Sequence, residues 1–203
     1  MQSLESKVFS RICGHGRGWV FTPSHFLDIA DSKSIGVYLG RLVSDGKIQR
    51  LARGLYCYPR IHPKLGLLLP TIEEIAQAIA GRDRIRLLPS GAYAANRLGL
   101  TEQVPAKAVF LTDGKSRKIS VEGTTIELRK ASPRQMALAG KESGVVIQAL
   151  RHLGAAHVDK GIVQKLQASL PDNVKKEVVR NLQLAPAWMR PIIMEIAEVL
   201  SDE

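Results

Sequence analysis

The sequence of 203 residues predicts an α+β fold in three consecutive parts, residues 1–60, 61–154 and 155–203. The first part combines apolar residues at helical spacing with short extended runs. The second contains strand-like runs separated by glycine turns, and the third shows helical spacing alone. With 45% apolar residues, the chain can bury an ordinary core.

The first part begins with two predicted helices. Apolar residues recur at helical spacing over residues 3–13, which predicts an amphipathic first helix. A short extended segment follows at Trp19-Val20-Phe21. Thr22-Pro23 is typical of a helix N-cap followed by proline at the first helical position. We therefore predict a second, short helix that runs to about Ala30.

A third helix and two strands complete the first part. Asp31-Ser32 begin a helix over Ser32–Asp45, and two short strands follow at about 47–51 and 55–58. The strands are joined by a turn at Ala52-Arg53-Gly54. This order of elements is that of a winged helix-turn-helix, in which a tight turn between the second and third helices presents the third helix outward.

The third helix has the length and the outer face of a DNA-reading helix. Its 14 residues span ~21 Å, which is enough to lie in a major groove. Ile35, Leu39 and Leu42 form its core-facing stripe, and this leaves a small, polar and basic face outward. The predicted DNA-binding residues are Ser32, Lys33, Ser34, Val37, Arg41, Arg50 and Arg53.

Each candidate has a role that its chemistry suggests. Lys33 and Ser34 lie at a helix N-terminus, which favours anions such as phosphate. Arg41 is placed to hold the DNA backbone or to donate two hydrogen bonds to guanine. Arg50 and Arg53 are expected at phosphates or in the minor groove. Each of them could instead be a solvated surface charge, and the whole module could serve protein contact or dimerisation.

The middle part is predicted to be α+β with a small, mainly antiparallel sheet. Residues 59–70 carry three prolines and are predicted to connect the domains. Residues 71–74 match a capping box that begins a helix, and Ser90 is expected to cap another. TDGKS at 112–116 is interpreted as a hairpin turn. Strands are predicted at Arg84–Leu88, Lys107–Thr112, Arg117–Val121 and Thr125–Lys130.

The last part, residues 155–203, is predicted to be helical throughout, and its final helix is expected from Pro186 to about Leu200.

The charge of the chain distinguishes this last part from the other two. The sequence holds 29 Lys and Arg against 19 Asp and Glu, a net charge of +10. Residues 1–60 contribute +5, residues 61–154 contribute +6 and the tail contributes −1. A basic field over the first two parts favours a polyanion partner, although it also occurs for solubility alone.

No motif for catalysis, for a metal or for a cofactor is found. The five histidines have no cysteine or carboxylate at metal-ligand spacing, and two cysteines cannot form a disulfide framework. TDGKS lacks the glycines of a P-loop, and Ser90 is not in a G-x-S-x-G elbow. We therefore expect no enzyme, no catalytic residue, no metal and no cofactor. Because neither a signal peptide nor an apolar run of about 18 residues is present, we expect a cytoplasmic protein without a membrane partner.

Four stretches of the chain together resemble a known family. They read RLVSDGKIQRLARGLYCYP, LPSGAYAANRLGL, VPAKAVFLTDGKSRKI and SGVVIQALRHLG. Over roughly residues 5–154, the sequence is similar to the AbiEi-type antitoxins of bacterial abortive-infection toxin–antitoxin systems, called type IV systems. The resemblance implies an N-terminal winged-helix DNA-binding domain, with its recognition helix on Ser32–Asp45 and its wing on Lys47–Tyr58. It also implies a C-terminal domain associated with antitoxin activity.

The resemblance further implies that the protein represses its own operon. A toxin similar to a nucleotidyltransferase would be encoded beside it and need not contact the antitoxin. The resulting hypothesis is a cytoplasmic antitoxin and transcriptional repressor that binds operator DNA. Two alternatives stay open: a protein-interaction module that neutralises a partner toxin directly, and an RNA-binding protein.

Overall fold

The computed structural model describes residues 3–121 and 123–197. The chain is α+β and divides into two compact units. Of the described residues, the first contains 3–84 together with 120, 121 and 123, and the second contains 85–119 and 124–197. The predicted boundary after residue 60 therefore lies inside the first unit. The helical tail beyond residue 155 belongs to the second unit.

The described residues up to Arg84 form three helices, a short 3-10 helix and five strands. These are α1 (Leu4–His15), β1 (Val20–Phe21), the 3-10 helix (Pro23–Phe26), α2 (Ser32–Ser44), β2 (Gln49–Ala52), β3 (Leu55–Cys57), β4 (Arg60–His62), β5 (Gly66–Leu68) and α3 (Ile72–Asp83). Strand β3 lies between β1 and β2 and is antiparallel to both. Helix α2 corresponds to the predicted third helix, Ser32–Asp45, and ends one residue earlier than predicted.

The predicted second helix is shorter in the structure. Only Pro23–Phe26 is helical, as a 3-10 helix, and the prediction to Ala30 is wrong. Asp31, the N-cap of α2, has an extended backbone (φ −63°, ψ 159°). The chain must therefore leave one helix before it can begin the next.

An apolar core joins α1, α2 and the three-stranded sheet. It consists of Val8, Ile12, Phe21, Phe26, Ile35, Leu39, Leu42, Ile48 and Tyr56. Phe21 packs edge-on against Phe26, with ring centroids 5.6 Å apart, and is stacked on Tyr56 at 6.0 Å. The three core residues of α2 are at most 2% exposed. The opposite face of α2 is consequently turned to solvent.

Strands β4 and β5 form a β-hairpin within residues 59–70, the segment that is predicted to connect the domains. The strands are antiparallel, with Ile61 opposite Leu67. His62 Nδ1 accepts hydrogen bonds from two backbone N–H groups of the turn, each at 3.2 Å. The prolines do not interrupt the hairpin because all three lie outside its paired positions.

The second unit is built on a four-stranded sheet of β6 (Leu87–Ser90), β7 (Lys107–Thr112), β8 (Arg117–Val121) and β9 (Thr124–Lys130). The strand order is β6-β7-β9-β8, in which β6 is antiparallel and β9 parallel to β7. The hairpin turn predicted at 112–116 is therefore wrong, because β7 and β8 are not neighbours. Asp113 in this turn instead accepts hydrogen bonds from Arg86 N–H and Nε, both at 2.8 Å.

Helices complete the second unit. They are α4 (Gly91–Arg97), α5 (Pro133–Met136), α6 (Glu142–Leu153), α7 (Lys160–Ser169), α8 (Asp172–Arg180) and α9 (Met189–Ala197), with two short 3-10 helices at Ala155–His157 and Leu182–Leu184. Helix α6 is central, since its residues 143–150 are all buried. Val163, Val178 and Ile193 of the tail pack in the same core as α6.

The final helix begins at Met189, three residues later than predicted, and its predicted end near Leu200 lies outside the described residues. Ser90 occupies the N-cap position of α4, as predicted, but its side chain makes no capping hydrogen bond. Its hydroxyl donates to Gln148 Oε1 at 3.1 Å instead. Within residues 3–197, position 122 apart, no helix combines the length and apolar character needed to cross a lipid bilayer.

Candidate nucleic-acid interface

Helix α2 carries small and polar residues along its solvent-facing side. Lys33, Val37 and Arg41 follow one another at intervals of four residues and form one line along the helix. All three are exposed, and 48% of Val37 is accessible. Gly36 and Gly40 lie beside this line and are also exposed. The structure therefore brings three of the predicted residues together on one face.

The N-terminus of α2 is already occupied by a carboxylate. Asp31 Oδ1 accepts from the backbone N–H groups of Lys33 (2.9 Å) and Ser34 (3.1 Å), and its Oδ2 accepts from the Ser34 hydroxyl (2.6 Å). The hydrogen bonds from Ser34 hold the pKa of Asp31 below its ordinary value. Asp31 is thus the capping residue, and Ser34 donates to it through both its backbone N–H and its hydroxyl. The predicted anion site at this helix N-terminus is filled by the protein's own side chain, whereas exposed Ser32 makes no side-chain hydrogen bond among the described residues.

Arg41 is engaged in an ion pair. Its Nη1 lies 3.2 Å from Glu5 Oε2 of helix α1, and 62% of the arginine side chain stays exposed. The pair joins the last turn of α2 to the first turn of α1. Arg41 can therefore contact a partner only by leaving or sharing this carboxylate, which the sequence did not indicate.

The turn between β2 and β3 is tight, and a hydrogen bond joins it to helix α3. Arg53 and Gly54 form it, and Gly54 has φ +68°, which glycine adopts without strain. Arg82 Nη1 of α3 donates to the Arg53 carbonyl at 3.4 Å. The side chains of Arg50 and Arg53 are exposed, and neither forms an ion pair with a residue of the described chain.

The two exposed glycines of α2 have no packing role within the described chain. A Cβ atom placed on Gly36 or Gly40 would meet nothing within 4 Å. Glycine inside a helix is less stable than alanine by roughly 0.5–1 kcal/mol. Because neither position carries a side chain, another molecule can approach the backbone of α2 closely. The spacing of apolar residues in the sequence did not indicate these glycines.

Sequence analysis also missed a polar cleft of about 310 Å³ in the first unit. Arg60 lies in it, with Nη2 at 2.8 Å from Glu74 Oε1 and Nε donating to the Arg17 carbonyl at 3.3 Å. The guanidinium packs on Gly18, so a side chain at this position would require Arg60 to move. His15 stacks on Trp19 at the same cleft, with ring centroids 3.8 Å apart. Because Arg60 is matched by acceptors of the protein, this cluster supports the fold.

The structure gathers no metal site in the part of the chain that it describes. No group of three or more His, Cys, Asp or Glu side chains could hold an ion there. Within the described residues neither Cys13, which is exposed, nor Cys57, which is buried, forms a disulfide bond. The surface that groups most of the predicted site residues is the one made by α2 and the β2–β3 turn.

Comparisons with known proteins bear on the family of the chain. No curated protein matches the chain. One similar solved structure is the crystal structure of RV2827C protein from Mycobacterium tuberculosis, with 15% identity and a TM-score of 0.46. That likeness covers 98% of this chain and 77% of the other. Residues 7–179 match a family described as a family of unknown function, DUF6088. Since this match spans most of the sequence, the chain belongs to the DUF6088 family.

Proposed function

We propose that residues 4–57 form a winged helix-turn-helix that binds double-stranded DNA, with α2 as the recognition helix and β2–β3 as the wing. The observation that carries the proposal is the order of elements, α1, β1, a short helix, α2, β2 and β3, with β1 added to the strand pair. Helix α2 is fixed in the core by one face and is exposed along the other. A rigid helix with a free polar face suits a major groove.

The charges of this surface support a polyanion partner. Lys33 on α2 and Arg50 and Arg53 on the strand pair are exposed, and none is paired with a carboxylate of the described residues. Unpaired cations can neutralise phosphates without first losing an internal partner. The exposed Val37 offers an apolar contact of the kind that the methyl group of thymine accepts. Arg41 adds a further cation where the DNA competes with Glu5.

The resemblance to AbiEi-type antitoxins supports a biological setting for this activity. We infer that the protein is a cytoplasmic antitoxin that represses its own operon by binding the operator. Its toxin, similar to a nucleotidyltransferase, would be encoded beside it. The proposal needs no stable complex between the two proteins.

A gel-shift assay with the DNA upstream of the protein's own gene tests the repressor function. We expect a shift that survives an excess of scrambled competitor DNA at about 150 mM salt. Substitution Lys33→Ala should weaken the affinity for this DNA by tenfold or more, about 1.4 kcal/mol, if this side chain contacts a base or a phosphate. Binding that the competitor abolishes would contradict a repressor.

A second candidate function is direct neutralisation of a partner toxin, and the β4–β5 hairpin favours it. Ile61 and Leu67, which are 64% and 50% exposed, face each other on the two strands, and Leu65 in the turn between the strands is 72% exposed. Exposed apolar groups that are contiguous in space are typical of protein interaction sites. Their chemistry suits another protein and not DNA.

Co-purification of the chain with the product of the neighbouring gene tests this second function. A stable complex that Leu65→Lys and Leu67→Lys together abolish would support it, provided that operator binding is retained. Purification of the two proteins apart, with antitoxin activity intact, would contradict it.

A further inference from the structure

The second unit contains a small cleft of about 140 Å³ between α5, α6 and the 3-10 helix Leu182–Leu184. Leu138, Ile147 and Leu184 give it an apolar lining. Its polar residues are Arg134, Gln135, Gln148 and Arg151. None of the residues that line the cleft is acidic, and all of them lie within the described range 134–184. The cleft therefore carries two positive charges and no carboxylate.

The two glutamine side chains of the cleft have their amide oxygens already engaged. Gln135 Oε1 accepts from the backbone N–H and the hydroxyl of Ser132, each at 3.1 Å. Gln148 Oε1 accepts from the Ser90 hydroxyl at 3.1 Å. Gln135 Oε1 thus has both lone pairs engaged and Gln148 Oε1 has one, while the amide nitrogen of each residue can only donate.

Gln148 is the most informative of these residues because it is only 4% exposed. Its Nε2 has no hydrogen-bond partner among the described residues. This nitrogen is not among the fully buried, unsatisfied side-chain atoms of the described residues, so it stays accessible in the cleft that Gln148 lines. The amide is therefore a donor prepared for a group that enters the cleft.

The guanidinium groups complete a set of donors. Arg134 Nη2 donates to the carbonyl of Gln183 at 3.3 Å, which holds the side chain in place and leaves its other N–H groups available. Arg151 is exposed, on the turn of α6 that follows Gln148, and makes no ion pair within the described chain. Arginine offers paired N–H donors that match the oxygens of phosphate or carboxylate.

We propose that this cleft is a binding site for a phosphate-type oxyanion. Its lining combines two guanidinium groups with two amide nitrogens as donors and has no carboxylate, and its volume of about 140 Å³ suits a group of phosphate size. The phosphate could be free, could end a nucleotide or could belong to a nucleic-acid backbone, and these sources share the same chemistry. The site is independent of the proposed DNA interface, because no residue of α2 or of the β2–β3 turn contributes to it.

Isothermal titration of the full chain with inorganic phosphate, at fixed ionic strength, tests the site. We expect saturable binding that Arg151→Gln weakens by about fivefold or more, because a charge-assisted hydrogen bond is lost. Arg134→Gln should act in the same direction. Thermal unfolding of both variants should stay close to that of the wild type, since the two side chains are exposed.

Arg190→Gln is the matched control. Arg190 is an exposed arginine of α9 in the same unit and does not line the cleft, so its removal changes the charge alone. Phosphate binding should change by less than about twofold in this variant. Equal weakening by Arg190→Gln and Arg151→Gln would overturn the proposal, as would the lack of saturable phosphate binding by the wild type.

Two further ligands identify the source of the phosphate. Tighter binding of adenosine 5′-monophosphate than of inorganic phosphate would support the site with a nucleotide as ligand. Binding of an RNA dinucleotide, which carries only a phosphodiester, would support it with a nucleic-acid backbone as ligand. Operator affinity should be the same in Arg151→Gln and in the wild type, so failure of this site is distinguishable from failure of the proposed repressor.

Discussion

Helix α2 and the β4–β5 hairpin are both exposed parts of the first unit, and their chemistry is opposite. The outer face of α2 presents Lys33, Gly36 and Gly40. The hairpin presents Ile61 and Leu65, at 64% and 72% exposure. Both features lower stability, because helical glycine is unfavourable and an apolar side chain in water forgoes its burial. This difference in chemistry agrees with the two partners proposed above, a polyanion for the helix and a protein for the hairpin.

The two surfaces also differ in how firmly they are held. Helix α2 is fixed by its buried face, by its Asp31 cap and by the Glu5–Arg41 ion pair. The β4–β5 hairpin is held by the pairing of its two strands and by the ion pair between Arg60 and Glu74. A two-stranded ribbon is marginally stable in water. The difference suggests a preorganised surface for reading DNA and an adaptable surface for protein contact.

The largest expected effect comes from removing the unpaired cations of the DNA surface. The triple variant Lys33→Ala, Arg50→Ala, Arg53→Ala should weaken operator binding by about a hundredfold or more. The slope of log affinity against log salt concentration should also become less steep by about 3, since each lost phosphate contact contributes about 0.9 to it. Fluorescence anisotropy with labelled operator measures both quantities.

The matched control removes three exposed cations from the second unit instead. These are Lys115, Lys160 and Arg190. The two triple variants carry the same net charge, so any difference between them reports the location of the charges. Equal losses of affinity would mean that net charge, and not the α2 surface, accounts for binding.

Substitution of the exposed glycines separates stability from binding. Gly36→Ala together with Gly40→Ala should stabilise the fold by about 1–2 kcal/mol in urea unfolding, since a Cβ meets nothing at either position. The same variant should bind the operator about tenfold more weakly, because two methyl groups then hold the helix away from the groove.

Gly81→Ala in α3 provides the comparison. Gly81 is exposed and helical, and a Cβ there would also meet nothing within 4 Å. It should raise stability without a change in operator affinity. If all three alanines leave the affinity unchanged, α2 does not approach DNA through this face.

Release of Arg41 should strengthen DNA binding slightly. Glu5→Gln removes the carboxylate 3.2 Å from Arg41 and one negative charge beside the surface. Because an exposed ion pair contributes about 0–1 kcal/mol, we expect operator affinity to rise by about two- to fivefold. Glu102→Gln, an exposed carboxylate of the second unit, is the control that should leave affinity unchanged. An unaltered or lower affinity in Glu5→Gln would show that Arg41 does not contact the DNA.

The smallest effect concerns the acid stability of α2. The folded state lowers the pKa of Asp31, so the carboxylate adds stability above its ordinary pKa of about 3.9 and loses it as the pH falls. Asp31→Ser keeps an N-cap that does not titrate in this range. Urea unfolding should show the wild type losing more stability than Asp31→Ser between about pH 5 and pH 3. Parallel losses in the two proteins would show that this cap contributes nothing to the acid response.

Local sequence signals predicted the local structure well. Thr71 and Glu74 form the expected capping box, and Ser132 forms one with Gln135 at the Ser-Pro start of α5. Strand β7 spans the predicted residues, as does β8. Caps and alternating apolar residues act within a few positions, so a single sequence is enough to find them.

The features that sequence reasoning missed depend on residues far apart in the chain. Parallel pairing of β9 with β7 places β9 between two strands that precede it, and no turn signal indicates such an order. The Glu5–Arg41 pair joins residues on two helices. At the site, spacing placed Lys33, Val37 and Arg41 on one face correctly. Spacing could not show that the backbone N–H and the hydroxyl of Ser34 donate hydrogen bonds to the Asp31 carboxylate.

The salt dependence of operator binding is the most direct test of the central claim, that α2 and the β2–β3 turn bind DNA through phosphate and base contacts. Anisotropy titrations of the wild type with operator and with scrambled DNA measure it over a range of salt concentrations. If about five phosphates are neutralised, log affinity should fall against log salt with a slope of about −4 to −5, and the operator should be preferred throughout. A slope near zero, or equal affinity for the two DNAs, would contradict the account.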